Sequence, residues 1–249
     1  MSRATLIAQR YETLVGIEDS TVTVSLEDNM EMEEGVFDDS IFKAIFLAGG
    51  PGSGKSFVAS KTTSGHGFKV VNSDDAFEFF MKKAGISLDM TGMTPDEVAK
   101  KDAIRAKAKR LTDLKMDLYL DGRLGLIIDG TGRNLDKIEG QRKDLMKLGY
   151  DTFMIYVNTS LEVALERNEE RERKVDTVLV RKFWQEVQDN VGGFQQLFKR
   201  NFAIIDNSSY KNQDVIDDIW KQVAKFNKTK IQSKLARNWI KSEIAKRKR

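Results

Sequence analysis

Eight consecutive residues, Gly49-Gly50-Pro51-Gly52-Ser53-Gly54-Lys55-Ser56, have the types and spacing to wrap a polyphosphate. They fit the pattern G-x-x-x-x-G-K-[ST]. Glycines let successive backbone N–H groups turn inward around phosphate oxygens, and the helix that follows adds the positive end of its dipole. A lysine at position 55 reaches the β- and γ-phosphates, and a hydroxyl at position 56 ligates the Mg²⁺ that travels with them. Gly50, Gly52, Ser53, Gly54, Lys55 and Ser56 are therefore the expected donor-binding residues, with Ser56 as metal ligand and ATP with Mg²⁺ as the expected nucleotide. Nothing in the loop separates ATP from GTP.

A phosphate loop does not say what accepts the phosphate. Hydrolytic machines usually follow the aspartate of a later strand with a glutamate that activates water. Here Ile127-Ile128-Asp129-Gly130-Thr131 has none. A guanine-reading N-K-x-D is also missing, because Asn227-Lys228-Thr229-Lys230 lacks the aspartate. Transfer to a hydroxyl group is favoured over hydrolysis. Such transfer needs a base, and Val70-Val71-Asn72-Ser73-Asp74-Asp75 offers Asp74 at the end of a strand, opposite the loop. The same acid pair also suits a plain helix N-terminus. The run Arg167-Asn168-Glu169-Glu170-Arg171-Glu172-Arg173-Lys174 can be a solvated helix face with i,i+4 pairs. Beside a phosphate loop it is expected to be a lid, with Arg171 and Arg167 neutralising charge on the transferring group.

These residues need a rigid frame. Five apolar runs qualify as strands: Ile41–Ala48, Phe68–Asn72, Leu124–Asp129, Thr152–Val157 and Phe202–Asp206. Helical patterns separate them, which predicts a parallel sheet covered on both faces, with functional loops at the C-terminal strand ends. The expected fold is a three-layer α/β P-loop NTPase fold. Thr94-Pro95 with Glu97 carries a helix start, and that helix is expected to reach about Leu120. The expected organisation is an appendage over 1–40, a catalytic domain over 41–220 with a helical insert at about 81–120 and a lid at about 167–176, and a basic helical tail over 221–249.

Composition narrows the chemistry. The chain has 249 residues, no cysteine and one histidine, His66. Thiolate and histidine-cluster metal sites are excluded, which leaves a hard cation held by oxygen. No apolar run resembles a signal or a membrane span, so the expected location is the cytoplasm. The net charge of +3 conceals segregation. Residues 1–40 hold Arg3 and Arg10 against ten acids, and residues 221–249 hold eleven Lys/Arg against Glu243 alone. In the first segment, Ala4–Val15 has helical spacing, Thr21–Leu26 alternates like a strand, and an acidic run follows at Glu27–Glu34. The tail repeats apolar residues at Val223, Phe226, Ile231, Leu235, Trp239, Ile240 and Ile244. It suits either a nucleic-acid contact or helices packed on the core. The acidic arm can also pair with it.

Taken together, the P-loop, the N-x-D-D after strand two, the D-G-T-x-R after strand three and the R-N-x-x-R-x-x-K lid resemble the phage 5′-polynucleotide kinase and zeta-toxin group of P-loop kinases. The resemblance covers roughly residues 41–210. It implies that Lys55, Asp74 and Arg171 act in phosphoryl transfer, with Asp74 as general base and Arg167 or Lys174 in support. It implies that Asp129, Thr131 and Arg133 face the acceptor or the metal. Zeta toxins act on nucleotide-activated amino sugars and the polynucleotide kinases on 5′-hydroxyl ends, so the implied acceptor is a polynucleotide, a nucleotide or a nucleotide sugar. A phage-borne member would work in the host cytoplasm. Two departures stand out. The polynucleotide kinases carry arginines where this chain has Ser73 and Phe77, and zeta toxins often carry glutamate in place of Asp129. The competing reading is a nucleotide-binding nucleic-acid module, or a weak ATPase, with no kinase acceptor.

Overall fold

A computed structural model describes residues 36–209 and 213–247. The helical, strand-like and acidic stretches expected between Ala4 and Glu34, and their pairing with the tail, lie outside the described residues.

Five parallel strands form one sheet in the order β2-β3-β1-β4-β5. They are β1 (Lys43–Ala48), β2 (Lys69–Val71), β3 (Leu126–Asp129), β4 (Asp151–Asn158) and β5 (Phe202–Asp206). The helices are α1 (Lys55–Thr63), α2 (Asp74–Lys83), α3 (Pro95–Asp121), α4 (Leu135–Leu148), α5 (Leu161–Glu169), α6 (Thr177–Asp189), α7 (Val191–Phe198), α8 (Gln213–Lys228) and α9 (Lys234–Arg247). Central β1 is buried at all six positions, as expected for a strand covered on both faces.

The period-two alternation of the strands sorts their side chains into two cores. Ala44, Phe46, Leu126, Ile128, Met154 and Tyr156 face Tyr119, Ile138, Leu145, Val187, Phe194 and Ala236. Ile45, Leu47, Ile127, Ile155, Ala203 and Ile205 face Val58, Ile219, Val223 and Phe226. A third, separate core joins α2 to α3 through Phe77, Phe80, Met81, Leu88, Ala108 and Leu111. The insert is thus a helical pair with its own apolar seam. Its long helix begins at the expected place: Thr94 accepts from the Glu97 backbone N–H, and the Glu97 carboxylate accepts from the Thr94 N–H in return. Such a cap is worth about 1 kcal/mol.

The change of composition at residue 220 is not a structural break. Helix α8 runs through it, with Ile216 and Ile219 before and Val223 and Phe226 after, all buried. The tail is two helices, and it packs. Trp239, Ile240 and Ile231 lie against the first core, where the Trp239 ring meets Phe42 edge-on at 5.5 Å. The turn between the two helices is tied to the sheet by Lys43. Its ammonium is buried and donates to Asp151 Oδ2 at 2.8 Å and to the Thr229 carbonyl at 2.7 Å. Burying that charge is tolerable only because both partners are present. No helix of the described residues is long and apolar enough to cross a membrane.

Candidate functional site

The loop Gly49–Gly54 joins β1 to α1 at the C-terminal edge of the sheet. Gly52 and Gly54 have φ of +75° and +76°, a region that side chains disfavour. A Cβ at Gly52 would strike the Ala164 backbone, and one at Gly54 the Asn207 amide. The loop is held from outside as well. Asn207 Nδ2 donates to the Ser53 carbonyl at 2.7 Å, Arg167 Nη1 donates to the Gly52 carbonyl at 3.3 Å, and the Gly49 N–H donates to the Thr131 carbonyl at 3.1 Å. Among the described residues, the buried Ser53 Oγ has no hydrogen-bond partner. Ser56 stands in the first turn of α1, as expected of a residue beside the phosphates.

Lys55 reaches across the sheet. Its Nζ lies 2.8 Å from Asp129 Oδ1, with side-chain exposures of 15% and 7%. The other Asp129 oxygen accepts from Asn72 Nδ2 at 2.8 Å, and Asn72 Oδ1 accepts from the Asp74 backbone N–H at 2.7 Å. Four residues from α1, β3, the β2–α2 turn and α2 form one continuous polar line. Adjacent β1, β3 and β2 make it possible, because their C-terminal ends lie side by side. Asp129 therefore sits on the phosphate-loop side of the crevice.

Asp74 opens α2 and does not cap it. Its Oδ1 accepts from Arg105 Nη1 at 2.8 Å and has Arg173 Nη1 at 3.4 Å. Burial pushes its carboxyl pKa up, but Arg173 and Arg105 outweigh burial and hold it below the usual range. The ring of Phe77, one turn along, carries both cations, with centroid distances of 3.5 Å to Arg105 Cζ and 5.6 Å to Arg173 Cζ. The Arg105 guanidinium reaches this ring from α3.

The lid follows α5. Asn168, buried in the last turn of that helix, donates to the Val175 carbonyl at 2.7 Å and accepts from the Val175 N–H at 3.1 Å. One carboxamide thus closes the loop at both ends. The loop leans on α2 and the α2–α3 connection: Arg173 pairs with Glu78 at 3.0 Å, Lys82 with Glu172 at 3.3 Å, and the Met90 N–H donates to the Lys174 carbonyl at 3.2 Å. Arg171 is exposed and makes no hydrogen bond or ion pair among the described residues. Desolvation, then Arg173 and Arg167, lower its pKa. Three arginines thus converge there.

The remaining expected residues divide. Thr131 is exposed and contacts the loop through its carbonyl. Arg133 turns to α6, where its Nε donates to Glu186 Oε2 at 2.6 Å and its Cζ lies 3.4 Å from the Phe183 ring centroid. Arg105, Arg173, Asn72 and Asn207 carry much of the geometry. Asn72 opens the N-x-D-D run after strand two, and Asn207 follows β5 directly, so the strand-end rule could have found it. Arg105 sits in a basic helical stretch whose facing is invisible in sequence.

A family model described as zeta toxin matches residues 34–222. Among solved structures, a candidate kinase from Chloroflexus aurantiacus J-10-fl aligns with a TM-score of 0.51 at 14% identity, covering 74% of this chain and 97% of its own. AvrRxo1-ORF1:AvrRxo1-ORF2 with sulphate ions aligns with a TM-score of 0.50 at 14% identity, covering 76% and 69%. The PezAT toxin-antitoxin system of Streptococcus pneumoniae aligns with a TM-score of 0.49 at 15% identity, covering 75% and 87%. At such identities the likeness concerns the fold. A comparison with curated proteins finds no match. The family match spans well over half of the chain, which belongs to the zeta toxin family of ATP-dependent P-loop kinases.

Proposed function

We propose that this chain transfers the γ-phosphoryl group of ATP to a hydroxyl on an acceptor seated between α2, α3 and the lid. The acceptor class is a polynucleotide, a nucleotide or a nucleotide sugar. The observation that carries this reading is the polar line from Lys55 through Asp129 and Asn72 to Asp74. It ties the Asp74 backbone into register with the phosphate lysine, and Arg105 and Arg173 hold the Asp74 carboxylate from the other side. A base and a phosphate-holding cation in fixed register are what in-line transfer needs.

The residues fit a nucleotide with Mg²⁺. The loop's positive-φ glycines leave a cradle that Cβ atoms would fill, and Ser53 Oγ lies buried beside it without a partner among the described residues. Ser56 and Asp129 would hold the cation together with phosphate oxygens. When bound, it neutralises phosphate charge and orients the chain of phosphates. Lys55 exchanges its contact with Asp129 for phosphate oxygens. Arg167, from the end of α5, and Arg171, from the lid, approach the donor and stabilise charge on the transferring group. Asp74 accepts the hydroxyl proton at a carboxylate oxygen, once an arginine releases it. Thr131 faces the acceptor or the metal, and Arg133 joins it once it leaves Glu186. Lid closure excludes water, which limits hydrolysis.

The test is transfer from γ-labelled ATP with Mg²⁺ to a panel: 5′-hydroxyl DNA and RNA, DNA with hydroxymethylated bases, nucleosides and nucleotide sugars. Label is expected on one class. Asp74→Asn should lower transfer by about 10²–10⁴-fold while ATP still binds. Label found only as free phosphate would replace this reading with an ATPase. Full transfer by Asp74→Asn would remove Asp74 as base.

A further inference from the structure

A general base works best with its carboxylate released from cations, and in this structure Asp74 holds two of them on one oxygen. Its Oδ1 is shared by Arg105 and Arg173. Arg173 belongs to the lid and leaves when the lid moves. Arg105 belongs to the long helix α3, whose seam with α2 is a packed core, so it stays. Its guanidinium is further fixed by the Phe77 ring, which is fully buried. The same side of α3 carries Lys101 one turn earlier, whose ion pair is with its neighbour Asp102 at 3.3 Å. Two turns later Thr112 donates to the Asn72 carbonyl at 3.3 Å, so this side of the helix borders the polar line. A cation held at one place beside the base, on the acceptor side, is built to bind an anion.

We infer that Arg105, stacked on Phe77, reads a phosphate group carried by the acceptor next to its reacting hydroxyl, and that this phosphate replaces Asp74 on the guanidinium. The inference rests on Asp74 being the base. An uncharged acceptor offers Arg105 nothing in exchange for the carboxylate. A phosphate offers a stronger, forked partner. The exchange keeps the Arg105 guanidinium paired while it frees the Asp74 carboxylate for the acceptor hydroxyl. Arg105 is thus a specificity residue: it selects anionic acceptors and releases the base only when one is bound.

The experiment uses the full chain with its P-loop saturated by a non-hydrolysable ATP analogue and Mg²⁺, so that no phosphate subsite of the donor is open. Inorganic phosphate is titrated in, with binding followed by the Arg105 Nε–H resonance and by calorimetry. Saturable binding is expected. Arg105→Gln should weaken it by roughly tenfold or more, and Arg105→Lys by less, because the charge remains but the fork is lost. Asp74→Asn should strengthen it about threefold or more, because the competing carboxylate charge is gone. Phosphate bound elsewhere on the chain would not respond to both substitutions in opposite directions. Absence of saturable binding, indifference to Arg105→Gln, or unchanged affinity in Asp74→Asn would each overturn the inference. The readout is binding, so a failure of phosphoryl transfer in the acceptor panel would sink the kinase reading separately.

Discussion

Asp74 Oδ1 lies 2.8 Å from Arg105 Nη1, and Arg105 reaches it from a helix 31 residues further along the chain. With Arg173 at 3.4 Å, one carboxylate oxygen serves two guanidinium groups, one from the lid and one from the insert.

That pairing has a pH consequence. The Asp74 pKa is lowered against the upward push of burial, by Arg173 and Arg105. The ion pairs therefore stabilise the fold above the unfolded-state pKa of about 4, and that stability is lost as pH falls through the lowered folded value. In the free enzyme Asp74 stays ionised below the usual range. Arg105→Gln should move the acid limb of kcat/KM to higher pH, since one of the two cations is gone. The pH profile of wild type and variant checks this; superimposable acid limbs would mean that Asp74 is not the group that titrates.

Lys55 and Asp129 form a largely buried pair that ligand binding is expected to rearrange. Removing one partner strands the other. Asp129→Ala should cost about 2–4 kcal/mol of stability without nucleotide. Saturating ATP and Mg²⁺ should recover part of that loss, because phosphate oxygens then pair with Lys55. Thermal melts with and without nucleotide measure both quantities. An equal loss in the two conditions would speak against Lys55 changing partners.

Gly54 and Gly65 offer a controlled comparison. Both have positive φ, +76° and +78°. An alanine at either meets backbone strain of about 1–2 kcal/mol. Gly65 has nothing within 4 Å of an added Cβ, whereas at Gly54 the Cβ would displace the Asn207 amide that holds the Ser53 carbonyl. Gly65→Ala should lower stability and leave ATP affinity unchanged. Gly54→Ala should lower both, and calorimetric titration with ATP separates them.

Asn168 closes the lid loop through two bonds to Val175. Asn168→Ala should cost about 2–3 kcal/mol by leaving the Val175 N–H and carbonyl without their partner. Its larger effect should fall on the lid: faster amide exchange over residues 170–175 and a raised KM for ATP, with the Lys55–Asp129 side of the site unaffected. Exchange mass spectrometry reads the first, and steady-state kinetics the second. Unaltered exchange in that segment would show that the lid is held by other contacts.

Much of this was legible in the chain itself, for physical reasons. The P-loop is read from local sequence because its conformation is local: glycines at fixed offsets, a strand before and a helix after. The central strands are continuous apolar runs because they are buried on both faces, whereas edge strands β2 and β5 leave Val70 and Ile204 exposed, and the capping box at Thr94 and Glu97 is complete within four residues. The rule that functional loops follow the C-terminal ends of parallel strands marked Asp74 beside Lys55, and the resemblance to P-loop kinases added Asp129. Tertiary structure decided the rest. Whether Arg105 faces solvent or Asp74 depends on how α3 rolls against α2, which Phe77, Leu88 and Ala108 settle by packing. Arg173, rather than Arg171, meets Asp74 because the lid's path is set by Asn168 and by Glu78, far apart in sequence. The basic tail looked equally suited to a ligand and to the core until Val223, Phe226 and Trp239 were seen to cover the two faces of the sheet. Charge and apolar content are properties of a segment, but what a side chain touches is a property of the folded surfaces that enclose it.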